Sequence, residues 1–444
     1  MVINMNYYDR LYGKINLDPI LEEMVLLCPE IKRLRYVGMM NYRSLGMLGL
    51  TSISRLEHVI GTAYLSQVFA YESNISSKND LLVAALYHDV NCAPFGHAIE
   101  WAIDRYTDYK HEYNVNWIVD KNDKININMP KFYDENGLHR YHFDDKYKLN
   151  LNNVVSYIQG KNSFVINSDG IDLDNIDNVY RMAASLGLLK EESSYPLLLS
   201  KNLKVVTGYD NFVLKDKYQH LIEHWYLMRS TVYRKFIYSR EYFAYEALLF
   251  KLIAEYVKTC ETADIANIWT QTDDLLLSMM MTTKRQELQK VNEFAKKLIL
   301  FDYDYVHFLI KTRDFSKKNE TVSNEFQTDL VRTCINRYNT MEGIPSRLDP
   351  DSMYLHITTD NKKTGRKIPY YLEDIHGNIT PTFLGCNEQS LVFGLLGKVQ
   401  IPEKWVQKLA AIFIEELEIR HVSECILAPF VDEEPESYEQ LGLF

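Results

Sequence analysis

Residues 81–90 read LLVAALYHDV: an unbroken apolar run that ends in His88 and Asp89. A helix that is apolar nearly all round must be buried on every side. The two polar residues at its end therefore sit beside a core, where an unpartnered imidazole or carboxylate is costly. A chain built around such a segment is predominantly helical, and its first candidate for chemistry is the His-Asp pair.

The surrounding sequence fits a helical frame. YYDRLYGKINL, with turn signals at Gly13 and Asp18-Pro19, predicts a short N-terminal hairpin. Ile20, Leu21, Met24 and Leu26 recur at helical spacing. The hydroxyls of Thr51, Ser52 and Ser54 are good N-caps for a helix carrying the stripe Leu56, Val59, Ile60 and Ala63. Pro94 and Gly96 mark a bend, and His111–Val119 reads as another helix start. Residues 120–160 are poor in apolar positions and read as an insertion. IDLDNIDNVYRMAASLGLL predicts a helix ending near Gly187, and residues 215–312 keep helical periodicity, clearest in YFAYEALLFKLIAEYV. From about 350, SMYLHITTD, KKTGRKIPYYLED and NITPTFLG read as short strands, and Glu403–Leu417 as a helix. The expected fold class is mainly α: a helical core over residues 1–340, with the hairpin and the insertion, and a small α+β region over 341–444.

Composition sets bounds on function. The 444 residues carry a net charge of -11, which argues against a general nucleic-acid binder, because such binding needs a basic footprint. Cys28, Cys92, Cys260, Cys334, Cys386 and Cys425 are scattered without any CxxC spacing, which fits a reducing compartment better than a disulfide scaffold. The polar N-terminus predicts no secretory leader, and no stretch approaches the roughly 18 apolar residues of a membrane span. A cytoplasmic protein is expected.

Four groups stand out: His58, His88, Asp89 and Asp174. Two imidazoles and two carboxylates suit a catalytic Mn, Fe or similar divalent ion, with positions left open for water and substrate oxygens. Each alone has an ordinary reading, His58 as a core histidine and Asp174 as a first-turn carboxylate. Their coincidence in apolar helical contexts is what points to a site. Arg55 lies three residues before His58, on the same helix face, and an arginine there can grip phosphate. His97, Glu100, His111 and Glu112 follow the His-Asp pair, and a histidine oriented by a carboxylate is a candidate general acid. Asp177 and Arg181 read as an ordinary i,i+4 ion pair.

The order His … His-Asp … Asp resembles that of HD-domain phosphohydrolases, and the six blocks that carry and surround it resemble their deoxynucleoside triphosphate triphosphohydrolase branch. YYDRLYGKINLDPIL with EIKRLRYVGMM is similar to the family's N-terminal entry, SRLEHVIGTAYL to its R-F-E-H helix, and LYHDVNCAPFGHAIE to H-D-x-G-H-x-P-F-S-H-x-F-E. KHEYNVNWIV resembles its H-E helix, GIDLDNIDNVYRMAASLG its G-x-D-x-D motif, and WYLMRSTVYRKFIYS its R-x-x-x-x-x-x-V-Y helix. The likeness spans about residues 5–260.

This resemblance implies an HD-domain helical core. His58, His88, Asp89 and Asp174 would be ligands of a divalent ion (Mn, Fe or Mg). His111, backed by Glu100 or Glu112, would be the catalytic histidine, His97 would line the phosphate site, and Arg55 and Arg229 would hold phosphate oxygens. The implied reaction is water attack at the α-phosphorus of a deoxynucleoside triphosphate, releasing nucleoside and tripolyphosphate. The implied partners are a nucleotide and further copies of the chain, and nucleotide-pool control and antiviral defence are both compatible roles. The chain departs from the pattern at Cys92, which replaces the family's second histidine, and at Met39, Asn178 and Met182, which fall where the family reads the sugar. Two other functions stay open: a phosphatase acting on another nucleotide or phosphate ester, and a catalytically idle regulatory module.

Overall fold

A computed structural model describes residues 6–41, 45–73, 75, 77–100, 111–112, 115–120, 138–161, 164–167, 170–189, 193–259, 268, 271–282, 285–313, 324–359, 363–386 and 390–426. Of the insertion anticipated at 120–160, residues 121–137 lie outside the described residues, while the described remainder is largely helical, with short helices at Phe143–Tyr147 and Leu151–Ile158. The chain forms two compact units that interleave along the sequence. The first comprises Met1–Tyr233, Leu248–Phe301 and Arg366–Cys386, and the second Arg234–Ala247, Asp302–Gly365 and Asn387–Phe444. A single cut near residue 340 therefore does not separate them.

In the first unit, β1 (Tyr7–Asp9) and β2 (Gly13–Ile15) form the N-terminal hairpin, pairing Tyr7 with Ile15. Gly13 takes φ +66°, a left-handed turn conformation that glycine adopts without strain. Helix α1 (Pro19–Leu27) starts at Asp18, whose side chain accepts the Ile20 N–H. Helix α2 (Arg55–Ser73) is the scaffold of the unit, packing against α3 (Lys78–Tyr87), α5 (Leu173–Ser185) and α6 (Tyr195–Asn202). Ser54 accepts the Glu57 N–H at 3.2 Å, and this selects the α2 start among the three hydroxyls. Every side chain from Leu81 to Tyr87 is fully buried, as an all-apolar helix requires. Helix α4 (Leu151–Ile158) packs against α3, and Asp80 at the start of α3 accepts the Asn150 N–H at 2.8 Å. Helix α7 (Gln219–Ile237) leaves this unit and α8 (Arg240–Thr259) returns to it.

A small sheet completes the first unit, in the order β3 (Leu203–Lys204), β4 (Val213–Lys215), β7 (Ile368–Glu373), β8 (Ile379–Leu384). The β7–β8 hairpin belongs here because β7 pairs in parallel with β4, placing Tyr371 opposite Val213. The second unit holds an antiparallel sheet in the order β10 (Val422–Ile426), β5 (Tyr305–Thr312), β9 (Leu391–Gly397), β6 (Met353–Thr359). Helices α9 (Asn324–Asn339) and α10 (Glu403–Glu416) contribute Cys334, Ile335, Tyr338, Leu409 and Phe413 to a core shared with Phe308, Ile310, Phe393 and Leu395. The alternate residues Leu309, Val392 and Leu396 pack instead with Tyr238, Phe243 and Ala244. Strand β5 is thus covered on both faces. This corrects the expectation of helix up to residue 312, since a strand buried on both sides loses the period-2 signature and reads as a continuous apolar run. No helix among the described residues is long and apolar enough to cross a membrane.

Candidate metal centre

Three elements of the first unit bring the predicted groups together. His58 stands one turn into α2, His88 caps the end of α3 with Asp89 next in the turn, and Asp174 lies in the first turn of α5. The α5 start is fixed by Asp172, whose side chain accepts the Asn175 N–H at 2.6 Å and the Asn167 N–H at 2.6 Å. The close approach of α2 to α5 depends on Gly61. A Cβ there would fall 2.1 Å from Asp177 Oδ1.

The donor atoms converge. His58 Nε2 lies 2.8 Å from Asp174 Oδ1 and 3.3 Å from His88 Nε2, and His88 Nε2 lies 3.5 Å from Asp174 Oδ1. Asp89 Oδ2 is 3.9 Å from His58 Nε2 and 3.7 Å from His88 Nε2. With metal–ligand bonds of about 2.1 Å, adjacent ligands of an octahedral ion stand about 3.0 Å apart and opposite ones about 4.2 Å. The five separations, 2.8–3.9 Å, lie close to that range. The far nitrogen of each ring is also engaged, His58 Nδ1 with Asp177 Oδ2 at 2.7 Å and His88 Nδ1 with the Ala85 carbonyl at 2.8 Å. Such bonds set the tautomer that leaves Nε2 for a cation. These residues fit a divalent ion, with His58, His88 and Asp174 as the tightest trio. The side chains of His58, His88 and Asp89 are 2–5 % exposed and that of Asp174 is 22 % exposed, so the site meets solvent on the Asp174 side.

The charges are arranged to suit a cation. Burial works against the ionised form of Asp89, but Arg55, whose Nη1 donates to Asp89 Oδ2 at 2.5 Å, holds the carboxyl well below its usual range. Burial likewise opposes ionisation of Asp174, and hydrogen bonds from His58 and His88 outweigh it. Burial pulls the His58 ring toward neutrality, while its bonds to Asp174 and Asp177 push it up to about 9.

Arg55 Nε also faces the Gly38 carbonyl at 3.4 Å. Its guanidinium is thus turned toward Asp89 and the segment before α2. The loop after the His-Asp pair is held by two buried groups: Arg33 donates to the carbonyls of Val90 and Cys92, and Asp273 accepts the N–H groups of Phe95 and Gly38. Burial pushes the Cys92 thiol up to about 12, so it stays neutral, a small buried group where the family has histidine.

His111 is buried between acids. Its Nδ1 lies 2.6 Å from Glu100 Oε1, an ion-pair contact off the line of a hydrogen bond, and its Nε2 lies 3.3 Å from both Asp89 Oδ1 and Glu112 Oε1. Burial disfavours its charge, but Glu100, Glu112 and Asp89 together raise its pKa well above the ordinary value. His97 is more than half exposed and meets Glu100 Oε2 at 2.9 Å. Arg229 on α7 is buried with its guanidinium over the Tyr233 ring, four residues after Trp225, whose Nε1 donates to the Asn175 carbonyl. Burial lowers the Arg229 pKa, and Arg366 acts in the same sense. The Tyr233 hydroxyl is raised by burial and by Asp174 and Asp172, against the charges of Arg229 and Arg366. The two arginines therefore share a neighbourhood with the start of α5.

Sequence reasoning did not single out Arg366, which arrives with the β7 hairpin, and it read Asp177 only as the ion-pair partner of Arg181. The Asp177–Arg181 pair exists, but Asp177 is fully buried and also orients His58. The signal was present in its spacing, one turn after Asp174 on the same helix face. Met39 and Met182 are buried, and Asn178 is half-buried.

Residues 55–145 match the family model of the HD domain, a span that carries Arg55, His58, His88, Asp89, His97, Glu100, His111 and Glu112. Over 292 residues the chain is 25% identical to the deoxynucleoside triphosphate triphosphohydrolase SAMHD1 homolog of Dictyostelium discoideum, in an alignment covering 58% of this chain and 52% of that protein. The chain thus spans about half the length of the relative it matches. With His58, His88 and Asp174 converging around the His-Asp pair, residues 55–145 resemble an HD domain, and the chain is distantly similar to a deoxynucleoside triphosphate triphosphohydrolase.

Proposed function

We propose that the chain is a metal-dependent phosphohydrolase that cleaves nucleoside triphosphates, deoxynucleotides foremost, to nucleoside and tripolyphosphate. The observation that carries this reading is the convergence of His58 Nε2, His88 Nε2 and Asp174 Oδ1 beside an Asp89 that touches His111. A divalent ion held there would supply positive charge to a phosphoryl oxygen and acidity to water. His111 holds a proton between Glu100 and Asp89, and it is the group placed to hand that proton to the departing 5′ oxygen as water bonds to the α-phosphorus. Arg229 and Arg366 supply charge for the phosphate chain near Asp174, and His97 lies on the outer edge of the Glu100–His111 pair. Arg55 contributes through Asp89, keeping it ionised. Assembly into a homo-oligomer belongs to the same reading. A second reading, hydrolysis of another nucleotide or phosphate ester, is favoured by Met39 and Met182, apolar and buried where the family reads the sugar.

The test is a nucleotide and phosphate-ester panel with Mn2+ present, scored by product identity, with a His88→Ala/Asp89→Ala double variant as control. Tripolyphosphate release by the wild type alone supports the first reading. Orthophosphate or pyrophosphate release supports the second. Hydrolysis that persists in the double variant would falsify the site, and no hydrolysis of any ester would leave an idle regulatory module.

A further inference from the structure

The N-terminal hairpin touches both helices that supply His58 and Asp174. On the α5 side, the Tyr12 hydroxyl donates to Asp177 Oδ1 at 2.7 Å, and Asp9 Oδ2 accepts from Arg181 Nη1 at 2.8 Å. Arg181 in turn donates through Nε and Nη2 to both oxygens of Asp177, each at 2.9 Å. On the α2 side, the Tyr12 ring packs edge-on against Tyr64 at 5.5 Å, and Arg10 Nη1 reaches Ser52 Oγ at 3.2 Å just before α2 and Ser185 Oγ at 3.3 Å at the end of α5. The hairpin holds its own turn, since Asp9 Oδ1 accepts the Leu11 and Tyr12 N–H groups at 2.7 and 3.1 Å. Asp177 thus has every oxygen direction assigned: Oδ1 to Tyr12 and Arg181, Oδ2 to Arg181 and His58 Nδ1. Asp177 and Arg181 are fully buried, so neither finds a substitute partner in water.

We propose that the N-terminal hairpin is a positioning clip for the metal centre: Asp9 and Tyr12 fix the Arg181–Asp177 pair, and Asp177 fixes the His58 ring with Nε2 directed at the cation. This rests on His58 being a metal ligand. Tyr12, Asp9, Asp177 and Arg181 are positioning residues, because none lies among the converging donor atoms. An imidazole ligand oriented by a carboxylate loses metal affinity when the carboxylate is altered, typically by about 10–100-fold. Here the carboxylate is itself oriented from 165 residues away in sequence, so the hairpin tunes the affinity of a site it does not enter.

The experiment is a Mn2+ titration of the full chain, following the free-ion signal by electron paramagnetic resonance, so that no substrate or turnover is involved. Asp177→Asn is expected to weaken binding by about 10–100-fold. Tyr12→Phe, which keeps the ring packing on Tyr64 and removes only the hydroxyl, is expected to weaken it by a smaller factor of several-fold. Asp9→Asn supplies a second hairpin variant should Asp177→Asn fail to fold. The 15N NMR spectrum of the His58 ring in the metal-free chain gives an independent signature: one tautomer, protonated at Nδ1 above the titration of the ring, in the wild type, and a mixture in Asp177→Asn. Wild-type affinity in Tyr12→Phe and Asp177→Asn, alongside lost binding in His58→Ala, overturns the clip while sparing the metal centre. Undiminished binding in His58→Ala overturns the metal assignment itself, and the clip with it.

Discussion

Replacing Gly61 with alanine sets two effects of opposite sign against each other. In an exposed helix interior, Gly→Ala stabilises by about 1 kcal/mol, because glycine loses more backbone freedom on folding. At position 61 the new Cβ would lie 2.1 Å from Asp177 Oδ1 and 2.2 Å from Arg181 Nη2, about 1.3 Å inside ordinary contact. Relief requires α2 and α5 to separate or the Asp177–Arg181 pair to move, and that pair is 0 % exposed at both partners. Asp177 has no slack, being tied to His58, Arg181 and Tyr12 at 2.7–2.9 Å. Overpacking costs about 1–3 kcal/mol, and pulling apart a buried ion pair costs about 3–5 kcal/mol when the separation is complete. Partial relief of both outweighs the propensity gain, leaving a net loss on the order of 2–4 kcal/mol. Urea denaturation followed by tryptophan fluorescence reads the loss as a lower midpoint, with weaker Mn2+ binding beside it. A Gly61→Ala chain at least as stable as the wild type, with unchanged Mn2+ affinity, would refute the close contact of α2 and α5.

Two further outcomes follow from titrating groups. His58, pushed up to about 9 in the metal-free chain by Asp174 and Asp177 against burial, must lose its proton to bind a cation through Nε2, so Mn2+ affinity should rise by about tenfold per pH unit between pH 6.5 and 8.5; a flat profile over that range counts against a ring protonated in the free site. His224, lowered to about 4 by burial and by His220, is stacked on Tyr195 with its Nδ1 2.9 Å from the Tyr180 hydroxyl. Its folded pKa lies below the unfolded value of about 6.5, so its contribution is complete above pH 6.5 and is lost as pH falls toward 4, up to about 3 kcal/mol; the urea midpoint should drop over that window, and His224→Gln should flatten the drop.

Much of the first unit was legible because its signals are local. The LLVAALY run dictated a buried helix, Ser54 is an ordinary cap, and Gly13 marked the hairpin turn. Three things were not legible, each for a different reason. Strand β5 is apolar on both faces, so its periodicity is erased. The Arg366–Cys386 segment joins the first unit through the β4–β7 parallel pair, which links positions some 160 residues apart, and periodicity carries no information on pairing at that range. Asp177 was assigned to Arg181 alone, because an i,i+4 pair explains a carboxylate locally and hides its long-range partners His58 and Tyr12.

The positions proposed to hold metal and those proposed to read substrate answer to different constraints. A histidine or aspartate in an apolar helix needs partners to exist there at all, so His58, His88, Asp89 and Asp174 carry their own justification in the sequence. Residues that contact a substrate need no such support. The segment bearing Met39 is held by its backbone: the Met39 N–H donates to the Ile53 carbonyl, the Arg55 N–H donates to the Val37 carbonyl, and Gly38 bridges to Ser54. None of these bonds uses the side chain of residue 39, so the path of the backbone there does not depend on which side chain it carries. Met182 sits one residue past Arg181, in α5, where it is buried without disturbing the Arg181–Asp177–His58 chain. Under the proposed function, substitutions at these positions would redirect substrate choice while His58, His88 and Asp174 stay where α2, α3 and α5 put them.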